Sequence, residues 1–243
     1  MLIKRGMDMF FSAEFRPGMG DLTKNFEVKN GALLKMCEDT AGFHCDTVHD
    51  GLCDVLAAGK AWVVMAWYLH VTNRPKYSDT VKVTTWVSKI NKVECIREFE
   101  ITNNDGVCAR VSSKWVQIDM QERKFTWLLP EKIALYECEN KELFDTPVKF
   151  RTQIRCEYEK VTEHQVLLKD ADLLGHMHNL NYYEYAAMTL PESKRREYDN
   201  VMILYKNEIP MGEKFSCGYC VKEEKETVFL FQNEKINATV QMW

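Results

Sequence analysis

No apolar run in this sequence is long enough to cross a bilayer. The longest, AWVVMAW at 61–67, falls far short of the roughly 20 residues that a spanning helix needs. Basic runs are scarce too: none exceeds KRR at 194–196, and the net charge is −4. That excludes the cationic face on which nucleic-acid binding depends. The opening MLIKRGMDMFF lacks the apolar core and small-residue cleavage site of a secretory signal, which predicts a cytoplasmic protein. The parts of a metal site are also missing. Nine cysteines are scattered along the chain, a pattern that predicts free thiols. The lone C-x-x-C, Cys217 and Cys220, has no second pair or ligand-spaced histidines to complete a zinc site. It also lies in the strand-like KFSCGYCVKE, where residues three apart face opposite ways. No metal or other cofactor is expected.

What the sequence does have is an ordinary globular balance, 46% hydrophobic and 28% charged over 243 residues, enough for one large domain or two of about 120 residues. The order of its elements occurs twice. An extended FFSAEF (10–15) and a turn-rich RPGMGD precede NGALLKMCEDTAG (30–42), where Leu33, Met36, Cys37 and Thr40 recur at helical spacing. This predicts an amphipathic helix ended by Gly42. Strand-like runs follow at 61–72, 79–90, 95–102 and 108–119, the last two joined by the hairpin signal TNNDG, and 123–129 extends the sheet. In the second half, 164–170 is extended and 178–190 helical, and strands are expected at 200–209, 214–223, 226–232 and 236–243. The intervening 130–150 is charged, bounded by Pro130 and Pro147, and reads as a linker. One strand, one helix and four antiparallel strands, repeated, predict an α+β fold in which two curved sheets each wrap a central helix. The units run over 1–130 and 151–243, with 131–150 between them.

The chemistry concentrates in DADLLGHMHNLNYYEYA (170–186), where two carboxylates and two histidines stand just ahead of the second helix. Asp170 and Asp172 suit turn and capping roles, and equally suit a catalytic loop. Further on, Glu208 lies in MILYKNEIPM. Burial in that apolar strand setting would raise its pKa and make it a usable base.

Several stretches together resemble the acyl-acyl carrier protein (acyl-ACP) thioesterases, a double-hotdog family. They are LAAGKAWVVMAWYLHVTNRPKYSDTVKVTTWV (56–87), ARVSSKWVQIDMQERKFTWLLP (109–130), the charged linker and DADLLGHMHNLNYYEY. The resemblance implies a tandem hotdog that hydrolyses the fatty acyl thioester of acyl carrier protein through base-activated water and releases a free fatty acid. It assigns catalysis to Asp172, His176 and Glu208, with Asp172 fixing the imidazole tautomer of His176. It puts the acyl chain in the N-terminal unit, beside Leu33, Met36, Trp62 and Met65, residue types that at such positions are more often plain core and are not named as site residues. The thioester carbonyl is expected at the start of the second helix, near His178 or Asn179, with these two as substrate-binding residues.

The chain departs from the family where the Asn two residues before the His is expected. Leu174 stands there and has no polar side-chain atom. Either His178, which replaces the first of the family's paired asparagines, supplies the lost contact, or activity is reduced. Ile209 occupies the position of a Cys found in some members, so a cysteine nucleophile has no residue there. The expected partner is the acidic acyl carrier protein, with SKRR (193–196) as a basic patch for it. A homodimer is left open. The alternatives are an acyl-CoA thioesterase and a non-hydrolytic acyl-binding protein.

Overall fold

Alternation along each strand decides which side meets the core. In β4 (Cys95–Asn103), Cys95, Arg97, Phe99 and Ile101 are all buried and point the same way. The computed structural model describes residues 10–139, 141, 143–152, 158–222 and 226–243. Residues 1–9, which make up most of the opening MLIKRGMDMFF, lie outside that set.

The first half contributes β1 (Phe11–Phe15), β2 (Lys60–Val71), β3 (Val81–Ile90), β4 and β5 (Gly106–Asp119), with the two-residue β6 (Lys124–Phe125) on β5. The second contributes β7 (Lys160–Gln165), β8 (Asn200–Tyr205), β9 (Lys214–Lys222), β10 (Glu226–Gln232) and β11 (Ile236–Met242). They form one antiparallel sheet in the order β1-β3-β4-β5-β2-β8-β11-β10-β9-β7. Read outward from the β2–β8 seam, the halves have the same order, so β2 corresponds to β8, β5 to β11, β4 to β10, β3 to β9 and β1 to β7. At the seam Trp67 pairs with Ile203 and Leu69 with Val201, and the two halves share one apolar core.

Helix α1 (Asn30–Thr47) and helix α4 (Asn181–Thr189) supply the central apolar faces. Leu33, Leu34 and Ala41 pack with Trp67 and Phe99 in the first half, and Tyr182 and Ala186 with Phe229 and Phe231 in the second. Two short helices, α2 (Leu52–Ala57) and α3 (Pro130–Leu135), complete the description. No helix among the described residues is long and apolar enough to cross a membrane.

Helix α1 does not end at Gly42. It continues to Thr47, and the left-handed residue beyond it is His49 (φ 55). The buried stripe runs on through His44 and Val48, and this packing outweighs the weak helix preference of one glycine. A Cβ added at Gly42 would meet open space. Gly42→Ala is therefore expected to raise stability by about 0.5–1 kcal/mol, measured by urea unfolding. No gain would mean that the helix is not maintained through this turn.

The expected linker is partly built structure. Its first residues form α3, and the following Tyr136 is buried, donating its hydroxyl to Asp50 Oδ2 at 2.7 Å. Residues 143–150 lie beside β3–β5, where several of them border a half-open cavity of about 400 Å³ lined in part by Ser88, Glu98 and Ser112.

Cysteine usage among the described residues departs from the expected free thiols. Seven cysteines are free, but Cys220 is disulfide-bonded, a pairing that linear spacing does not reveal. Among the described residues no group of three or more His, Cys, Asp or Glu is placed to hold a metal ion.

Candidate active site

The loop ahead of α4 is shaped by its own carboxylates. Asp170 accepts from Leu167 N at 2.9 Å and from the Tyr185 hydroxyl at 2.8 Å, while its carbonyl accepts from His178 N at 2.8 Å. Asp172 Oδ1 accepts from the backbone N–H of Leu174 at 2.8 Å and of His176 at 3.2 Å. Gly175, at φ +81, allows the left-handed turn between them. The expected extended run at 164–170 instead splits into the end of β7 and a single 3₁₀ turn, Leu168–Asp170, because the Asp170 carboxylate turns the chain back on itself.

The same loop occurs ahead of α1. Gly18 N donates to Asp21 Oδ2 at 2.7 Å, and Lys29 N to Asp21 O at 2.8 Å. Thr23 Oγ1 accepts from Asn25 N at 3.2 Å and from Glu27 N at 3.3 Å. Thr23 thus does for the first loop what Asp172 does for the second. Glu27 bridges to Lys76 as His176 bridges to Pro210, so Glu27 stands at the position of His176 and Arg74 at that of Glu208. Arg74 is spent on structure, donating to Val28 O, Asn30 Oδ1 and Tyr198 O. One loop design is present twice, and the imidazole and carboxylate occur in one copy.

Glu208 is not on a strand. The expected strand over 200–209 stops at Tyr205, because Lys206 N and Asn207 N both donate to Asn237 O and draw the chain off the ladder. The Glu208 side chain is 44% exposed, so burial does not tune it. Its setting is made by neighbours. The Glu208 Oε1 lies 3.5 Å from His176 Nε2, and the carboxylate is also ion-paired with Arg123, from the β5–β6 turn. Burial lowers the His176 pKa below its ordinary value, with the Asp172 charge opposing and the Arg123 charge adding to the shift. With its pKa held below the ordinary histidine value, the imidazole is neutral at pH 7.

Asp172 reaches His176 through the backbone, and the group beside the imidazole ring is Glu208. This corrects the expected tautomer-fixing contact from Asp172. The lengths of the two arms explain it: a short aspartate in a tight turn meets the nearest N–H groups first.

Asn179 is anchored on three sides. Its Oδ1 accepts from Trp67 Nε1 at 3.0 Å, its Nδ2 donates to Glu38 Oε1 at 2.5 Å, and its carbonyl accepts from the Tyr205 hydroxyl at 2.8 Å. His178 Nε2 lies 3.2 Å from the other Glu38 oxygen. That contact, ahead of the opposing effect of burial, raises the His178 pKa. His178 is therefore occupied by Glu38 rather than filling the place left by Leu174. At the start of α4 the N-cap residue is Leu180, whose side chain cannot cap, while Leu180 N lies 3.4 Å from His178 Nδ1 and Asn181 N donates to His178 O at 3.0 Å.

The site straddles both halves, with His176, His178, Asn179 and Glu208 from the second and Glu38, Trp67 and Arg123 from the first. Sequence reasoning missed Glu38, Arg123 and Tyr205. Glu38 carried a usable signal, since it lies four residues after Leu34 and three before Ala41, a carboxylate inside an otherwise apolar stripe. Leu33 and Met36 lie in the main core, and Met65 falls where the β2–β5 register shifts.

Residues 9–136 match the family model described as the acyl-ACP thioesterase N-terminal domain. A chloroplastic acyl-[acyl-carrier-protein] hydrolase of Cuphea viscosissima is 34% identical over 74 residues, 30% of this chain and 18% of the relative. A chloroplastic palmitoyl-acyl carrier protein thioesterase of Cuphea hookeriana is 32% identical over 74 residues, with the same shares of 30% and 18%. These matches thus span under a fifth of either relative. Among solved structures, the 12:0-ACP thioesterase from Umbellularia californica aligns over 97% of both chains with a TM-score of 0.87 at 17% identity. An acyl-ACP thioesterase from Bacteroides thetaiotaomicron aligns over 96% of this chain and 97% of its own, with a TM-score of 0.84 at 18% identity. Likeness over nearly the whole length shows the fold, an α+β double hotdog.

Proposed function

This chain belongs to the acyl-ACP thioesterase family, and from that premise we propose that it hydrolyses the thioester joining a fatty acyl chain to acyl carrier protein and releases the free acid. The observation that carries this reading is the approach of His176 Nε2 to Glu208 Oε1, 3.5 Å apart, in the loop that leads into α4. A thioester needs a base for water, donors for the oxyanion and a held substrate. Glu208 takes a proton from water as the oxygen attacks the carbonyl carbon, and His176 orients that water. The oxyanion forms against the N–H groups at the α4 start, where the helix dipole is positive. The tetrahedral species then collapses, the C–S bond breaks, and the proton held by Glu208 passes to the departing thiolate. Asp172 keeps the loop in shape, and Asn179 serves the substrate by fixing the helix entrance. In this assignment the N-terminal unit, 1–130, holds the acyl chain, and the C-terminal unit, 151–243, carries the catalytic residues.

Leu174 leaves one polar contact unmade, so a rate below that of a site with Asn is expected. Of the SKRR patch, Arg195 donates to Leu190 O and Met188 O, Lys194 pairs with Glu159, and Arg196 lies over the Tyr198 ring. These engagements weaken its case as the carrier-binding surface.

The test is release of free acid from acyl-ACP and acyl-CoA bearing one common acyl chain. Faster release from the carrier protein supports the proposal, and faster release from CoA favours the acyl-CoA reading. Binding of either without release favours an acyl-binding protein. Because the His176 pKa is lowered, the rate should hold constant down through neutral pH. It should fall only as the imidazole protonates, on an acid limb below the ordinary histidine value of about 6.5.

A further inference from the structure

We propose that Glu38, from the central helix of the first unit, is a positioning residue for the hydrolytic site in the second, acting through Asn179 and His178. The inference rests on the functional reading above and deepens it. Both carboxylate oxygens are committed across the unit boundary, Oε1 to Asn179 Nδ2 at 2.5 Å and Oε2 to His178 Nε2 at 3.2 Å. The orientation of the Asn179 amide is forced. The Trp67 indole can only donate, so Asn179 Oδ1 must face it, and Nδ2 then needs an acceptor on the opposite side. Glu38 is that acceptor.

Nor is Glu38 occupied as a helix-surface charge. The cation in reach on its own helix, Lys35, pairs with Asp39 at 2.5 Å. With Asn179 held by Glu38, Trp67 and Tyr205, the residues between His176 and the first turn of α4 are clamped to the first unit. That is the distance over which the water-handling imidazole and the oxyanion donors must stay in register.

The neutral ring of His178 has one tautomer that fits this arrangement. With Nε2–H directed at Glu38, Nδ1 is left as an acceptor, and Leu180 N lies 3.4 Å from it. The charged groups acting on His178 are Glu38, Asp172 and Lys35, of which the first two favour its protonation and the third opposes it. Loss of the Glu38 carboxylate should therefore release His178 to titrate at lower pH.

The experiment uses the full chain with Glu38→Ala and Glu38→Gln, measuring kcat and KM on an acyl-ACP and following the His178 ring titration by NMR. Glu38→Ala is expected to lower kcat about tenfold or more, as for loss of a charge-assisted hydrogen bond, with KM changed little. Glu38→Gln, which keeps an acceptor for Asn179, should recover part of that loss, and both variants should shift the His178 midpoint to lower pH. If Glu38→Ala does not fold, Glu38→Gln decides on the same readings. A kcat within twofold of the parent in the folded variants overturns the proposal, as does an unmoved His178 midpoint. A parent that releases acid from no thioester sinks the functional reading instead, and the NMR midpoint then still judges the Glu38 contact by itself.

Discussion

The Glu208→Gln substitution is expected to lower the rate of acid release by about 10²–10⁴-fold, the usual contribution of a positioned general base. Glutamine keeps the shape and a hydrogen-bonding oxygen toward His176 but cannot take a proton. The loss should therefore appear in kcat, with KM little changed. Folding is not expected to suffer. The side chain is partly exposed, and its ion pair with Arg123 is open to solvent, of a kind that contributes at most about 1 kcal/mol. Single-turnover release of labelled fatty acid, with thermal unfolding run in parallel, separates the two effects. A variant within threefold of the parent would remove Glu208 from the role of base and pass it to His176, whose neutral imidazole is the other group able to accept a proton.

A second large effect, on stability, is expected from Asp50→Ala. Asp50 is fully buried at the point where α1, β2 and α3 meet. Its Oδ2 accepts from Trp62 Nε1 at 2.9 Å and from the Tyr136 hydroxyl at 2.7 Å, and its Oδ1 pairs with Lys132 Nζ at 2.5 Å. Lys132 is partly exposed and can turn to water. Trp62 is half-buried and the Tyr136 hydroxyl keeps only the weaker Cys45 Sγ contact at 3.3 Å, and a buried donor left without an acceptor costs about 1–3 kcal/mol. A loss of roughly 2–5 kcal/mol is therefore expected in urea unfolding, and a smaller one for Asp50→Asn, which keeps an acceptor. A loss below about 1 kcal/mol would show that α3 is not anchored through this carboxylate.

Element order was legible because it is written in local periodicity. Strands at 61–72, 95–102 and 226–232 were readable from β-branched and aromatic runs, and they pair as expected to within a residue or two of their ends. The errors fall where a distant contact overrides a local preference. Gly42 reads as a helix stop, but the buried stripe beyond it keeps α1 going. Residues 206–209 read as strand, but the Asn237 carbonyl takes two N–H groups and ends β8 early. The linker reads as connection, but Tyr136 finds an acceptor 86 positions back at Asp50.

The candidate site divides in the same way. His176 and Asp172 were visible in one short loop, and the duplicated loop at 18–30 is there to be read as well, since Thr23 and Asp172 are the short polar residues that such a turn requires. The neighbours that define the chemistry were not visible. Sequence by itself determined the two-fold element order and the chemical types gathered at 170–179, because both depend on residues within a few positions of one another. Only the tertiary structure decided that Asn179 meets Trp67 across 112 positions and Glu38 across 141, and that Glu208 faces Arg123 in water rather than apolar walls. Side-chain ionisation and orientation follow from what lies alongside in space, and folding, not chain order, chooses those neighbours.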